Sequence, residues 1–531
     1  MAGTEYDIVI SGYGPTGLAA AALLTRLGHR VCVFERWPSL YGQPRIATID
    51  AESARIIQAA CDVDAAFRNS LPRECYRFAN EKGEVLIDNH WEGDHDCGFP
   101  HRISLHQPDI EDAMDAAARA GGAAIHQGWE VTAIAQDADF VRVTACENTN
   151  GNGKEHTVRA RYLIGADGAR SAVRELLGIE REAWPFRNAW YSVDTVRKGK
   201  LPDFWGTSPD GQIAVIFCLP EGRAHSIIPL GRSHVRFNFE ADPDGRHDDK
   251  LNDEVAYRHL REVYGVGPEH VEVTRQAVYP FEGKLARRWR VGRAFLAGDA
   301  AHLMTPFLGQ GGCAAFRDAI NLAWKLDLVL KGEAGAALLD TYEAERLPHV
   351  RVHVDGSDKL AAIAFEPDPE KAAARDRRYL GEPTPPRAAG PDLPLADGIL
   401  MRDANGEIAA PIGGLGPQGV VRRGGEEGRF DDLIGWGFQL LAWDCDPADF
   451  LSDDQTDFLA RIGGVAAGLS EQDSPGRAHD LAGVYGRFFD KHGIAGLLMR
   501  PDFTVFGVAR VAEDLPLLVD ALRRQLGAPS G

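Results

Sequence analysis

Gly12, Gly14 and Gly17, in Gly-Tyr-Gly-Pro-Thr-Gly, are spaced as a pyrophosphate-binding turn requires. The first permits a tight strand-to-helix turn, the second lets an anion approach the backbone, and the third lets helix and strand pack closely. Pro15 and Thr16 open the helix and belong to the same site. Glu35, about 20 residues further on, is placed to accept hydrogen bonds from both hydroxyls of a ribose, and Arg36 follows it. Together these residues predict a bound dinucleotide. Two more acids sit where apolar runs end. Asp167 closes Arg-Tyr-Leu-Ile-Gly-Ala-Asp-Gly, where a plain Asp-Gly turn is the simpler reading. Asp299 closes Arg-Ala-Phe-Leu-Ala-Gly-Asp and is followed by a loop with Pro306 and by the glycine-rich Gly309, Gly311 and Gly312 at a helix start. A strand delivering an acid, then such a loop, can hold a polyol by its carboxylate and a heterocycle by backbone N–H groups.

The elements that must position these residues are legible around them. Apolar runs Tyr6 to Ile10 and Val31 to Phe34 flank a small-residue helix, Leu18 to Leu27, in the strand–helix–strand order of a dinucleotide fold. The helix from Ala314 to about Leu330 is apolar nearly all round and predicted buried, which makes Trp324 core. Residues 180–285 have a different texture: Gln212 to Leu219, His225 to Pro229 and Val235 to Glu240 alternate as antiparallel strands do. Glu382 to Pro394 holds five prolines in thirteen residues and predicts a linker. Beyond it, strands are expected at Phe438 to Trp443, Gly463 to Ala467 and Phe503 to Val508, with helices at Asp453 to Ala460 and Leu515 to Gln525.

A chain of 531 residues exceeds one compact core and predicts roughly three domains. Its formal charge of −20, with no basic stripe, argues against nucleic-acid binding. Eight cysteines form no CxxC and no zinc-ligand spacing, so reduced thiols, a cytoplasmic location and no metal are expected. The first strand begins too early to leave room for a signal or transit peptide, and no apolar run reaches membrane-spanning length.

GYGPTG with Glu35, GADGARSAVR, and GRAFLAGDAAHLMTPFLGQGG followed by RDAINLAWKL resemble the single-component (class A) flavin-dependent aromatic hydroxylases, the p-hydroxybenzoate and phenol hydroxylase group. PRIATIDAES and ISLHQPDIEDAM are most similar to its 3-(3-hydroxyphenyl)propionate hydroxylase-like and polyketide hydroxylase-like members. The resemblance spans roughly residues 5–350. It implies an α/β chain: a Rossmann-like FAD-binding domain (1–179 and 286–380), an inserted antiparallel β-sheet substrate domain (180–285), a Pro-rich linker (381–395), and a thioredoxin-like C-terminal domain (396–531) that here lacks CxxC. That last unit is expected to serve structure or oligomerisation, a homodimer included. The cofactor implied is FAD. Gly12, Gly14 and Gly17 would meet its pyrophosphate, with Arg45 and Gln107 on the same side, and Glu35 its adenosine ribose. Asp167 would stabilise the cofactor cleft and the nicotinamide donor's approach, Asp299 would bind the ribityl chain, and Pro306 with the Gly309 to Gly312 backbone would line the isoalloxazine. One departure is that Gly-Gly-Cys-Ala-Ala stands where relatives often have Gly-Met-Asn after Gly-Gln-Gly.

The activity implied is hydroxylation of a phenol ortho or para to its hydroxyl, by oxygen from a flavin C4a-hydroperoxide. NADPH or NADH would be a transient co-substrate without a Rossmann domain of its own, and O2 the oxidant. The ring would lie between flavin and sheet, which makes Trp190, Tyr191, Trp205, Phe217 and Tyr279 pocket candidates, each also readable as core. His225 is either a structural histidine or the group that polarises or deprotonates the phenol, with Tyr191 and Tyr279 as partners. Two other classes share parts of the pattern. A flavin-dependent halogenase would carry a Trp-x-Trp-x-Ile-Pro signature, which is missing, and a non-catalytic or redox-sensing FAD protein would keep the FAD motifs without substrate-stimulated turnover.

Overall fold

The computed structural model describes residues 5–148, 153–202, 213–244, 251–381 and 393–527. Most of the predicted Pro-rich linker, and Trp205, lie outside them. The first sheet is parallel at its centre: β1 (Glu5–Ser11) lies between β2 (Val31–Glu35) and Glu155–Gly165, which pairs in turn with Ala294–Leu296. Strands covered on both faces need no polar alternation, and Ile8, Val9 and Ile10 are all fully buried. Helix α1 (Pro15–Arg26) packs against Gly311–Lys331, which is buried from Cys313 to Leu328. Trp324 is core, edge-on to Phe438 with centroids 5.6 Å apart.

The second sheet is built on Arg181–Arg197 and Val271–Ala286, continued by His234–Ala241, His225–Leu230 and Ile213–Phe217 in antiparallel order. It is not confined to residues 180–285: Cys75–Ala79 and Val85–His90 complete one edge. Those strands are short, and their periodicity shows a face but cannot name a partner across so much chain. One face of this sheet packs on the helix Asp253–Tyr264 through Phe217, Phe237, Phe239 and Leu260; the other face is turned to the first sheet.

After residue 393, Gln439–Trp443, helix Asp453–Arg461 and Val465–Ser470 form a parallel strand–helix–strand unit. A hairpin, Gly496–Met499 with Val505–Ala509, and a last helix, Leu515–Leu526, complete the thioredoxin-like order. Buried ions tie this unit to the rest. Arg500 meets Glu345 at 2.7 Å and Asp502 at 2.5 Å, Lys325 meets Glu345 at 2.8 Å, and Arg55 meets Asp431 at 2.7 Å. Among the described residues no helix is long and apolar enough to cross a membrane, and no cluster of His, Cys, Asp and Glu could hold a metal ion.

Candidate active site

A cavity of about 1370 Å³ lies between the end of β1 and the second sheet. It exceeds the roughly 300–1,000 Å³ of a site for one small ligand, leaving room for a dinucleotide with a ring beside it. β1 ends in a turn at Gly12, φ +99°, where a Cβ would lie 2.4 Å from the Ala166 carbonyl oxygen. At Gly17 a Cβ would lie 2.0 Å from the Gly12 carbonyl oxygen, whereas nothing lies within 4 Å at Gly14. Backbone contact therefore demands glycine at 12 and 17, and Gly14 leaves open space beside a helix start. That helix begins at Pro15 without a side-chain cap, and Pro15 and Thr16 line the cavity. Free N–H groups and the helix dipole favour an anion there. Glu35 is held at the cavity wall by the N–H groups of Tyr13 (2.6 Å) and Trp37 (2.9 Å), with Arg36 beside it.

Arg45 stacks on Tyr41 at 3.8 Å, and the N–H groups of Arg45 and Ile46 both donate to Gln107 Oε1 at 2.7 Å. Buried Gln107 thus fixes the loop that brings Arg45 to the cavity. Asp167 accepts from the Ser171 hydroxyl and, at 3.0 Å, from the Val173 N–H; burial pushes its carboxyl up. Gly298, φ +59°, passes so close to Thr16 that a Cβ would lie 2.2 Å from Oγ1. Its N–H donates to Asp318 (3.0 Å), which also meets His302 (2.7 Å) and Arg346 (2.9 Å). This buried cluster fixes the turn that presents Asp299, whose exposure is to the cavity and whose carboxyl is pushed up by enclosure.

Pro306 and Gly309, Gly311 and Gly312 line the same cavity. The helix Gly311–Lys331 likewise starts without a side-chain cap or an acid in its first turn, so a second helix N-terminus faces it. Arg317 braces that start, reaching Asp50 at 2.6 Å and Gln310 at 3.0 Å. Ile46 takes up the space a side chain at 312 would need, 2.7 Å from an added Cβ, and Cys313 is buried behind the wall. Two uncapped helix N-termini, a carboxylate at a fixed turn, and a glycine with no neighbour fit the diphosphate, polyol and planar heterocycle of FAD.

The sheet wall follows the period of two. Ser226 and Ile228 line the cavity, so His225 and Ile227 face the other way. His225 stacks on Phe217 at 4.5 Å, its Nδ1 lies 2.7 Å from the Tyr264 hydroxyl, and burial pushes it down to about 4. The expectation that His225 acts on the phenol is corrected: it belongs to the layer under helix Asp253–Tyr264. Tyr191 is corrected likewise, its hydroxyl donating to Gln276 at 2.8 Å in that layer, where Phe217 also packs. Trp190 and its cross-strand partner Tyr279 do line the cavity. Burial pushes the Tyr279 phenol up, while Arg236 and the Ser192 hydroxyl act in the opposite sense. His225→Phe is therefore expected to leave oxygen-transfer coupling unchanged and to lower stability by about 0.5–1.5 kcal/mol, the loss of its hydrogen bond with Tyr264; thermal melts and peroxide assays check both.

Several lining residues escaped the sequence reading. Tyr76 could have been found from its alternation with Phe78 in Cys75–Ala79. Arg73, Arg102 and Asn238 carry no local signal. Nor does Arg236, which pairs with Asp194 at 2.6 Å and donates to the carbonyl of Arg45 at 3.0 Å, tying the sheet to the Arg45 loop.

A family model of the FAD binding domain matches residues 5–357, and one of the HcaD C-terminal domain matches residues 413–525. The probable NADH-specific resorcinol 4-hydroxylase of Rhodococcus jostii (strain RHA1) is 33% identical over 97% of this chain and 94% of its own. The 3-(3-hydroxy-phenyl)propionate/3-hydroxycinnamic acid hydroxylase of Mycolicibacterium smegmatis is 31% identical over 97% of this chain and 92% of its own. Among solved structures, aklavinone-11 hydroxylase with FAD and aklavinone matches with a TM-score of 0.77 and 27% identity, over 99% of this chain and 100% of that one. The flavin-dependent monooxygenase PieE, 21% identical and covered completely (100% of both chains), shares the fold with a TM-score of 0.82.

Proposed function

The chain belongs to the FAD binding domain family, and from that premise we propose that it is a flavoprotein monooxygenase using NADH or NADPH and O2 to hydroxylate a phenolic ring ortho or para to its hydroxyl. One observation carries this: a single cavity is walled on one side by two uncapped helix N-termini and on the other by an aromatic sheet face. FAD bound there would supply the redox chemistry, taking electrons from the nicotinamide donor and passing them to dioxygen. NADH is the donor to try first, supported by the NADH-specific relative.

The chain's own part is to position and to exclude. Trp190, Ile216, Ile228 and Phe307 offer a ring-sized apolar surface that keeps water from the reacting centre. Tyr279, kept protonated by burial, donates a hydrogen bond to the phenol oxygen, which favours the phenolate and raises ring electron density. Arg236 and Asp194 hold the strand that carries the neighbouring polar group, Asn238. The eight cysteines are all unpaired, which supports a reducing, cytoplasmic setting; a homodimer is the working assembly, to be checked by sedimentation.

The purified protein should be yellow, with FAD equimolar to chain, and phenols should stimulate its NADH oxidation and gain one oxygen atom. A panel of phenols that leaves NADH oxidation at its basal rate would overturn the proposal. Tyr279→Phe removes a hydrogen bond to a charged oxygen, worth about 1.5–3 kcal/mol. Hydroxylated product per NADH should then fall roughly tenfold to hundredfold while peroxide release rises. Unchanged coupling would remove Tyr279 from contact with the phenol.

A further inference from the structure

Helix Ala51–Ala60 contributes no residue to the cavity wall, yet nine of its ten residues are buried and its start is tied to that wall. Asp50 caps it, accepting from the Ser53 N–H at 2.9 Å, and the same carboxylate accepts from Arg317 at 2.6 Å and from Gln310 at 3.2 Å. Glu52 accepts from that guanidinium at 2.5 Å. Gln310, only 1% exposed, immediately precedes Gly311, and its Oε1 accepts from Arg317 at 3.0 Å. Arg317 thus clamps the start of this helix to the start of helix Gly311–Lys331, which faces the cavity.

The body of the same helix is held by the unit after residue 393. Arg55 is fully buried; Asp431 takes its Nε at 2.7 Å and its Nη2 at 3.0 Å, and its Nη1 donates to the Gly416 carbonyl at 2.9 Å. Asp431 is itself fixed by Gln439 at 2.8 Å. Three residues beyond Arg55, on the same helix face, Gln58 Oε1 accepts from Gln418 Nε2 at 3.1 Å. Gln418 is fully buried, and its Oε1 accepts from the Asp431 N–H at 3.3 Å. From Asp50 to Gln58 is about 12 Å of helix axis, a stiff rod gripped by the C-terminal unit along one part and by Arg317 at its start.

We propose that the C-terminal unit is a positioning element of the flavin site. Through Asp431 and Gln418 it sets helix Ala51–Ala60, and through Asp50, Glu52 and Arg317 that helix sets the N-terminus at Gly311. Arg55, Asp431 and Gln418 do not line the cavity and act only through this chain of contacts. The inference rests on FAD bound in the cavity, not on its use in hydroxylation. An uncapped helix N-terminus favours negative charge near its first turn, and FAD gains negative charge on reduction. A start displaced from its place therefore binds reduced FAD less well, while oxidised FAD keeps the Gly12 to Gly17 turn, which lies off this path.

The test measures the two-electron midpoint potential of FAD bound to the full chain, to Asp431→Asn and to Gln418→Leu, with Leu522→Ala as reference. Leu522, fully buried in the last helix, packs in a different apolar cluster from Ile56 and Ile57. Asp431→Asn and Gln418→Leu should each lower the potential by about 15–30 mV, a roughly threefold to tenfold loss of preference for reduced FAD, with oxidised FAD still bound. Removing the charge of Asp431 without moving the helix would raise the potential instead, so the direction separates displacement from charge. Gln418→Leu changes no charge and gives the result even where Asp431→Asn fails to fold. Leu522→Ala should lower the melting temperature and leave the potential where it was. An unchanged or raised potential in the folded variants, loss of oxidised FAD from them, or an equal fall in Leu522→Ala would overturn the inference. Failure of the hydroxylase reading would show separately, as the expected shifts in a protein whose NADH oxidation no phenol stimulates.

Discussion

Gly12→Val should yield a colourless protein, whereas Gly14→Ala should fold normally and lose FAD by weakened binding alone. At Gly12 the backbone is in the left-handed region, and a Cβ would lie 2.4 Å from Ala166 O and 2.6 Å from Asp167 Cα. Neither neighbour is a side-chain end that can swing away. The left-handed conformation adds about 1–2 kcal/mol for a residue with a Cβ, and relief of the clash moves the turn that carries Asp167. At Gly14 no atom beyond its chain neighbours lies within 4 Å of the added methyl, so what it meets across that space is the cofactor. Flavin absorbance per protein, with thermal melts of both apo-proteins, separates the two cases. If Gly14→Ala bound FAD as tightly as the unaltered chain, the diphosphate would not approach this turn.

Glu345→Ala should cost about 3–5 kcal/mol, because of the two buried cations on it Lys325 loses its carboxylate and Arg500 keeps only Asp502. Lys325→Met in the same chain should recover part of the loss by removing one of them. Burial pushes Glu345 up, but Arg500 and Lys325 overcome it and leave the carboxyl at about 2, below its ordinary 4.5. A depressed carboxylate stabilises the fold fully above 4.5 and loses that contribution as pH falls toward 2. The stability gap between the unaltered chain and Glu345→Ala should therefore be widest near neutrality and shrink over that acid range. Urea unfolding at several pH values measures it, and a constant gap would contradict the role given to the pair.

What the sequence disclosed, and what it withheld, divides by distance along the chain. The turn at Gly12 to Gly17 and the acid at 35 lie within one strand–helix–strand unit, so local rules reach them. The all-round apolar helix around Trp324 is legible for the same reason. Alternation in His225 to Pro229 correctly separates two faces, but period two does not say which face meets the cavity; the long-range pairing of the strand does, and it sends His225 and Tyr191 away from it. Tyr76 reaches the cavity because Cys75–Ala79 pairs with Ile213–Phe217, and Arg102 because Arg102–Ser104 pairs with Thr48–Asp50 and holds Arg73 beside it, pairings between distant segments that no local pattern announces. The ion network of Lys325, Glu345, Arg500 and Asp502 joins two units far apart in sequence and has no local trace.

The most direct measurement of the central claim is the origin of the new hydroxyl. FAD-loaded protein, NADH and a phenol that stimulates its oxidation are incubated under isotopically labelled dioxygen, and the product is weighed by mass spectrometry. The account predicts one labelled oxygen in the product and none from labelled water. A phenol returned unchanged while NADH is consumed at the same rate with and without it, or a hydroxyl that carries oxygen from water, would contradict it.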